Sequence, residues 1–181
     1  IILGNDTLVC APTGSGKTLP AEFSIHYFVK EKHQKVIYTT PIKALSNEKF
    51  YNLSKRFPDI SFGLLTGDNK FNPEADVLIM TTEILLNTLK KLISIENNII
   101  DKNKLSLDFE IDIHNELGMV VYDEIHYIND PERGKVWEQS IMLLPNSCQY
   151  VGLSATINSP QNLCRWSESK SGANRNNIFI G

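Results

Sequence analysis

The sequence has no apolar run approaching the roughly 18–20 residues that cross a bilayer, so no membrane partner is expected. No secretory signal is visible either. Cysteine is scarce: Cys10, Cys148 and Cys164 are scattered and odd in number, with no CxxC or Cys/His spacing. That argues against a disulfide framework and a cysteine-held metal, and reads as reduced thiols of an intracellular protein, nuclear or cytoplasmic. Excess positive charge is also missing. Eighteen Lys and Arg stand against 21 Asp and Glu, a net charge of −3. This excludes a purely electrostatic nucleic-acid binder and leaves contacts through backbone amides, hydroxyls and a few local cations. No repeat or disordered linker stands out. The chain begins at Ile1 without Met, so it reads as a domain cut from a longer protein whose targeting signals would not be seen here.

What is present is an ordinary globular composition over 181 residues, enough for one domain with a sizeable core. The chain is organised around Thr7 to Leu19, TLVCAPTGSGKTL. Thr7 to Cys10 reads as a buried strand that Pro12 stops. Gly14 and Gly16 permit a tight turn with amides aimed inward. Lys17 and Thr18 then open a helix, whose N-terminal amides and partial positive charge suit a polyphosphate. Ala11, Pro12, Thr13, Gly14, Ser15, Gly16, Lys17 and Thr18 are the candidate nucleotide-binding residues. Lys17 supplies a mobile cation for the β- and γ-phosphates, and the Thr18 hydroxyl a ligand for Mg²⁺. The strict phosphate-loop pattern begins with Gly, where this chain has Ala11.

The first helix is expected over about Lys17 to Lys30, with Phe23, Tyr27 and Phe28 facing a sheet and Pro20 distorting the first turn. His26 and His33 read as surface or packing residues. Strands are expected at Lys35–Thr40, Ile60–Leu65, Val77–Thr82, Met119–Tyr122 and Tyr150–Leu153, with a last one beginning at Ile178. Helices follow at ALSNEKF, at EILLNTLKKLIS (Leu85, Leu89, Leu92), after Asp130 and Pro131 (Trp137, Ile141, Leu144), and after Ser159 and Pro160 (Leu163, Trp166). Residues 167–177 read as a loop. Apolar strands separated by helices indicate an α/β fold: a mostly parallel sheet covered on both faces.

Residues 105–113 alternate, with Leu105, Leu107, Phe109, Ile111 and Ile113 against Ser106, Asp108, Glu110 and Asp112. Such period-two patterning marks a half-buried antiparallel strand, and Ile95–Ile100 is a candidate hairpin partner. Its carboxylates form a solvated face, or an acidic wall that repels nucleic acid or meets a basic partner.

The chemical residues fall at the carboxyl ends of expected strands, the edge where open α/β sheets bind ligands. Asp123 there can hold the Mg²⁺ that bridges phosphates, and Glu124 can polarise a water for in-line attack on the γ-phosphate. His126 is a link from this site to another surface.

Together these stretches resemble the first RecA-like domain of a superfamily-two DExH-box helicase, of the superkiller and exosome-cofactor RNA helicase type. APTGSGKT is similar to motif I, TTPIKALSNEKF to motif Ia, and TGDNKFNPEADVLIMTTEIL to motif Ib and its surroundings. VVYDEIHYINDPERGKVWE is similar to motif II with its extension, and LSATI to motif III. The resemblance covers nearly the whole chain, in family order. It implies an ATP-binding domain that couples ATP hydrolysis to RNA unwinding or translocation, with ATP and Mg²⁺ as cofactors. It implies Lys17, Asp123 and Glu124 as catalytic residues, Thr18 and Asp123 on the metal, and His126, Ser154 and Thr156 in coupling. It places Pro41, Ile42, Lys43, Thr66, Gly67, Thr81, Thr82 and Glu83 along an RNA backbone track; hydroxyls and bare amides there touch sugar and phosphate without reading bases. The partners implied are RNA, a second RecA-like domain of the same protein, and the RNA-decay machinery.

The chain departs from the family in two ways. The link between the helix after motif Ib and motif II is expanded over about residues 93–113. An upstream adenine-recognition segment and a second RecA-like domain with its arginine fingers are not in the sequence. An arginine finger contributes about 10³–10⁵ in rate. Residues 1–181 alone are therefore expected to bind ATP weakly, hydrolyse it very slowly and unwind nothing. A DNA helicase or translocase, and an ATP-operated clamp without unwinding, are the alternatives.

Overall fold

The structure, a computed structural model, describes residues 1–12, 14–97, 111–157, 160–170 and 177–180. Eight strands form one sheet: β1 (Asp6–Cys10), β2 (Lys35–Thr40), β3 (Phe62–Thr66), β4 (Asn69–Phe71), β5 (Val77–Thr81), β6 (Leu117–Tyr122), β7 (Gln149–Ser154) and β8 (Asn177–Ile180). Their order is β4-β3-β5-β2-β6-β7-β1-β8. Every neighbouring pair is parallel except β3 and β4, which form a hairpin. Central strands such as β5 and β6 are apolar on both faces because helices cover both.

On one face, α1 (Leu19–His26) and α2 (Lys43–Arg56) bury Ala21, Ile25 and Leu53 against Val36, Tyr38, Ile79 and Val121. On the other, α3 (Thr82–Glu96), α4 (Gly134–Met142) and α5 (Pro160–Lys170) bury Leu85, Leu89, Trp137 and Ile141 against Ile37, Leu78, Met80 and Val120. The doubly covered, mostly parallel sheet is the α/β architecture expected from the sequence.

Several local expectations are corrected. Helix α1 starts at Leu19, with Thr18 as its N-cap, so Pro20 sits in the first turn and needs no distortion. After His26 the helix widens into a π turn over Tyr27–Glu31. Its buried face is Ala21, Ser24, Ile25 and Phe28, whereas Phe23 is 44% exposed. Ile95 and Glu96 belong to α3 rather than to a hairpin, and α5 continues to Lys170 where a loop was expected. Residues 98–110, which carry most of the alternating segment, lie outside the described residues. At its end, Ile111 and Ile113 are buried, but Asp112 folds the backbone into a turn. Its Oδ1 accepts the amides of His114 (3.0 Å) and Asn115 (3.1 Å).

Candidate active site

Strand β1 delivers the glycine-rich loop. Its last pairing is Cys10 with Ser154 of β7, and the Ala11 amide donates to Ser154 O at 3.0 Å. The glycine-rich loop is thus pinned to the strand that carries LSATI. Gly14 (φ 85°) and Gly16 (φ 84°) hold backbone conformations that L side chains resist. The Ser15 hydroxyl donates to Pro12 O at 2.6 Å, and the Leu19 amide to Gly16 O at 2.9 Å, closing the loop onto α1. Thr13 lies outside the described residues.

Strand β6 delivers the acidic pair. Asp123 is 2% exposed and its carboxylate is fully partnered. Oδ1 accepts the Glu124 amide at 3.0 Å. Oδ2 accepts the Tyr38 hydroxyl at 3.0 Å and lies 3.1 Å from Lys49 Nζ. Burial of Tyr38 pushes its phenol well above the ordinary tyrosine range, and the Asp123 charge and hydrogen bond add to this. Glu124 has φ 53° and ψ 46°, a left-handed conformation that costs a non-glycine residue about 1–2 kcal/mol. Glu124 Oε1 lies 3.0 Å from Lys17 Nζ, and Oε2 lies 3.3 Å from His126 Nδ1. The same His126 nitrogen is 3.4 Å from Ser154 Oγ. A continuous polar line therefore runs from the glycine-rich loop through Lys17, Glu124 and His126 to the end of β7. Thr156 lies exposed beyond it.

These groups enclose a cavity of about 460 Å³. Gly14, Gly16, Lys17, Thr18, Lys49, Asp123 and Glu124 all line it. The donor set fits Mg²⁺. Asp123 already holds a cation, the Lys49 ammonium, and Thr18 lines the same cavity. Carboxylate and hydroxyl oxygens, completed by phosphate and water, are the hard ligands that this ion takes.

Tyr38 and Lys49 were not legible as site residues. Tyr38 is the one aromatic in β2, and a phenol in a buried strand needs a hydrogen-bond partner, which is a usable signal. Lys49 carries none: in sequence it is an ordinary helix lysine.

The remaining candidates sit at the carboxyl ends of β2, β3 and β5. Pro41 is buried and its carbonyl accepts a hydrogen bond from Arg133 Nη2 at 2.6 Å. Ile42 is exposed. Lys43 pairs with Asp68, joining the loops after β2 and β3. Thr66 is buried with no hydrogen bond to its hydroxyl among the described residues, and Gly67 is exposed. Thr81 occupies the N-cap position of α3 without a side-chain capping hydrogen bond, and the Thr82 hydroxyl donates to Thr40 O at 3.4 Å. Glu83 Oε1 accepts from Arg133 Nη2 at 2.6 Å. The structure thus clusters these residues at one rim, and gives Glu83 an arginine partner that sequence reasoning missed.

A sequence profile described as DEAD/DEAH box helicase matches residues 1–163. The chain belongs to this family. It is 43% identical over 159 residues to the exosome RNA helicase MTR4 of Homo sapiens, covering 88% of this chain and 13% of that protein. It is 39% identical over 163 residues to the antiviral helicase SKI2 of Saccharomyces cerevisiae, covering 90% of this chain and 11% of that protein. Among solved structures of helicases, Lhr of Mycobacterium smegmatis, bound to single-stranded DNA and AMP-PNP, aligns with TM-score 0.69 at 27% identity, over 99% of this chain and 24% of that one. MrfA, bound to DNA and AMPPNP, aligns with TM-score 0.74 at 19% identity, over 99% of this chain and 25% of that one, a likeness of fold alone. The chain spans only a small part of each of these proteins.

Proposed function

We propose that this domain binds and hydrolyses ATP within an ATP-dependent RNA helicase of the superkiller and exosome-cofactor type. The observation that carries the reading is the convergence of Lys17 and Glu124 at 3.0 Å in one cavity beside a buried, cation-holding Asp123. Identities of about 40% to proteins named exosome RNA helicase and antiviral helicase support RNA over other substrates.

In this reading Lys17, paired with Glu124 in the structure, exchanges that partner for phosphate. A nucleotide's β- and γ-phosphates compete for Lys17, while the amides of the glycine-rich loop and α1 take up the rest of their charge. Lys17 then leaves Glu124, whose carboxylate becomes free to accept a proton from the water attacking the γ-phosphate. His126 Nδ1 holds the other Glu124 oxygen and fixes its aim. Thr18 and Asp123 would hold Mg²⁺, which when bound neutralises phosphate charge. The shift of Glu124 is felt at Ser154 through His126, so β7 and the segment through Thr156 sense the state of the nucleotide. RNA would lie across Pro41, Ile42, Lys43, Thr66, Gly67, Thr81 and Thr82, gripped by its backbone. A second RecA-like domain of the same protein would complete the site, and the RNA-decay machinery would supply the substrate.

The test is the full-length protein's ATPase with single-stranded RNA or DNA, together with unwinding of an RNA duplex bearing an overhang. RNA-stimulated hydrolysis with ATP-dependent unwinding supports the proposal. Stimulation by DNA alone would favour the DNA translocase reading, to which the DNA-bound Lhr structure lends weight. RNA binding and hydrolysis without unwinding would mark an ATP-operated clamp.

A further inference from the structure

The segment INDPERG, between the acidic pair and α4, has no part in the nucleotide chemistry, yet its geometry is tightly specified. Asp130 Oδ1 accepts the amides of Glu132 (2.9 Å) and Arg133 (2.8 Å), and the Gly134 amide donates to Asp130 O at 2.8 Å. Those amides hold the Asp130 carboxyl below the ordinary range. Gly134 packs so closely that a Cβ there would stand 2.2 Å from Ile128 O. This turn aims one side chain, Arg133.

The Arg133 guanidinium lies over two rings, Tyr127 at 5.6 Å and Trp137 at 5.5 Å, which stack on each other at 5.6 Å and 19°. From that platform Nη2 donates to Pro41 O and to Glu83 Oε1, each at 2.6 Å. Pro41 follows β2, Glu83 follows β5, and Arg133 itself stands in the segment after β6. These three strands are neighbours in the sheet, in the order β5-β2-β6. One planar cation therefore clamps three adjacent loops at the carboxyl rim.

We propose that Arg133 is a positioning residue for nucleic acid. It fixes the loops carrying Ile42, Lys43, Thr81 and Thr82 relative to the acidic pair, and so links RNA affinity to the nucleotide site without touching RNA. Its donor Nη2 is taken by protein acceptors, and Glu83 balances its charge beside the track. A lysine cannot replace it, because a single ammonium lacks the flat fork that stacks on Tyr127 and Trp137 while reaching two acceptors. The inference rests on the proposed RNA function.

The experiment uses the full-length protein with Arg133→Met, Arg133→Lys and Glu83→Gln. It measures affinity for a uniform single-stranded RNA with a non-hydrolysable ATP analogue, its salt dependence, and the RNA and ATP dependence of hydrolysis. Arg133→Met should raise the RNA Kd, and the RNA concentration for half-maximal stimulation, about tenfold. ATP affinity without RNA should stay within about twofold, well inside that range. The slope of log Kd against log salt should not change, because no phosphate contact is lost. Arg133→Lys should recover only part of the affinity. Glu83→Gln leaves the stacking intact, so it tests the clamp even where Arg133→Met folds poorly; it should weaken RNA binding about threefold. A salt slope reduced by about 1 would make Arg133 a direct phosphate ligand and overturn the proposal. So would RNA affinity unchanged in both Arg133→Met and Glu83→Gln, or ATP affinity falling as far as RNA affinity. A wild-type protein that binds no RNA would overturn the proposed function itself, and this role with it.

Discussion

Lys17 Nζ and Glu124 Oε1 are 3.0 Å apart, although 107 residues separate them in the chain. The lysine side chain is only 10% exposed, and the glutamate is held in a left-handed backbone conformation that keeps it there. Each group is the other's counter-ion in the structure.

Replacing Lys17 with Met removes the cation that a triphosphate would claim. Nucleotide binding should weaken by about 1.5–3 kcal/mol, roughly ten- to hundredfold in Kd. Titration calorimetry with a non-hydrolysable analogue checks this. Unchanged affinity would mean that Lys17 does not face the phosphates.

Tyr38→Phe should destabilise the fold by about 1.5–3 kcal/mol, the range for a hydrogen bond to a charged group. Denaturant titration at neutral pH measures it. The pH dependence has a definite sign. The folded-state phenol is raised above its unfolded value of about 10. Its contribution is whole below that pH and is lost as pH rises towards the folded value. Wild-type stability should therefore fall more steeply than that of Tyr38→Phe above about pH 10.

Lys49→Met leaves the Asp123 carboxylate, 2% exposed, without its only cation among the described residues. The nucleotide-free protein should lose about 1–3 kcal/mol, because Tyr38 and the Glu124 amide still solvate the anion. Mg²⁺ with nucleotide should narrow the gap between variant and wild type. Thermal melts in the two conditions decide it; equal melting points throughout would show the pair to be idle.

Elements with one dominant local signal were legible. The apolar runs gave β2 and β5 to within one residue, and the P-loop spacing with DEIH marked two groups of side chains that meet in one cavity. Pro20 also held usable information: proline favours the first helical turn, and it marks the start of α1 at Leu19. Alternation misled at Asp112, where side-chain hydrogen bonds to two amides impose a turn that period-two patterning cannot reveal. The hairpin strand β4 has three exposed residues, so no burial pattern announces it. Lys49 and Arg133 were invisible for a different reason. Their partners lie 74 and 50 to 92 residues away, and only the sheet order brings them together.

Gly134→Ala tests the turn that aims Arg133. The added Cβ would meet the Ile128 carbonyl at 2.2 Å, and backbone cannot yield as a flexible side chain does. A loss of about 2–3 kcal/mol is expected, read from chemical denaturation. A variant as stable as wild type would mean that the turn relaxes freely and that its geometry does not constrain Arg133.

The proposed function turns on Glu124 as the group that activates the attacking water. In the full-length protein, Glu124→Gln keeps the side-chain shape and removes the base. ATP affinity should remain within a few-fold of wild type, while RNA-stimulated turnover falls by about 10²–10⁴. Normal turnover in that variant would contradict the account.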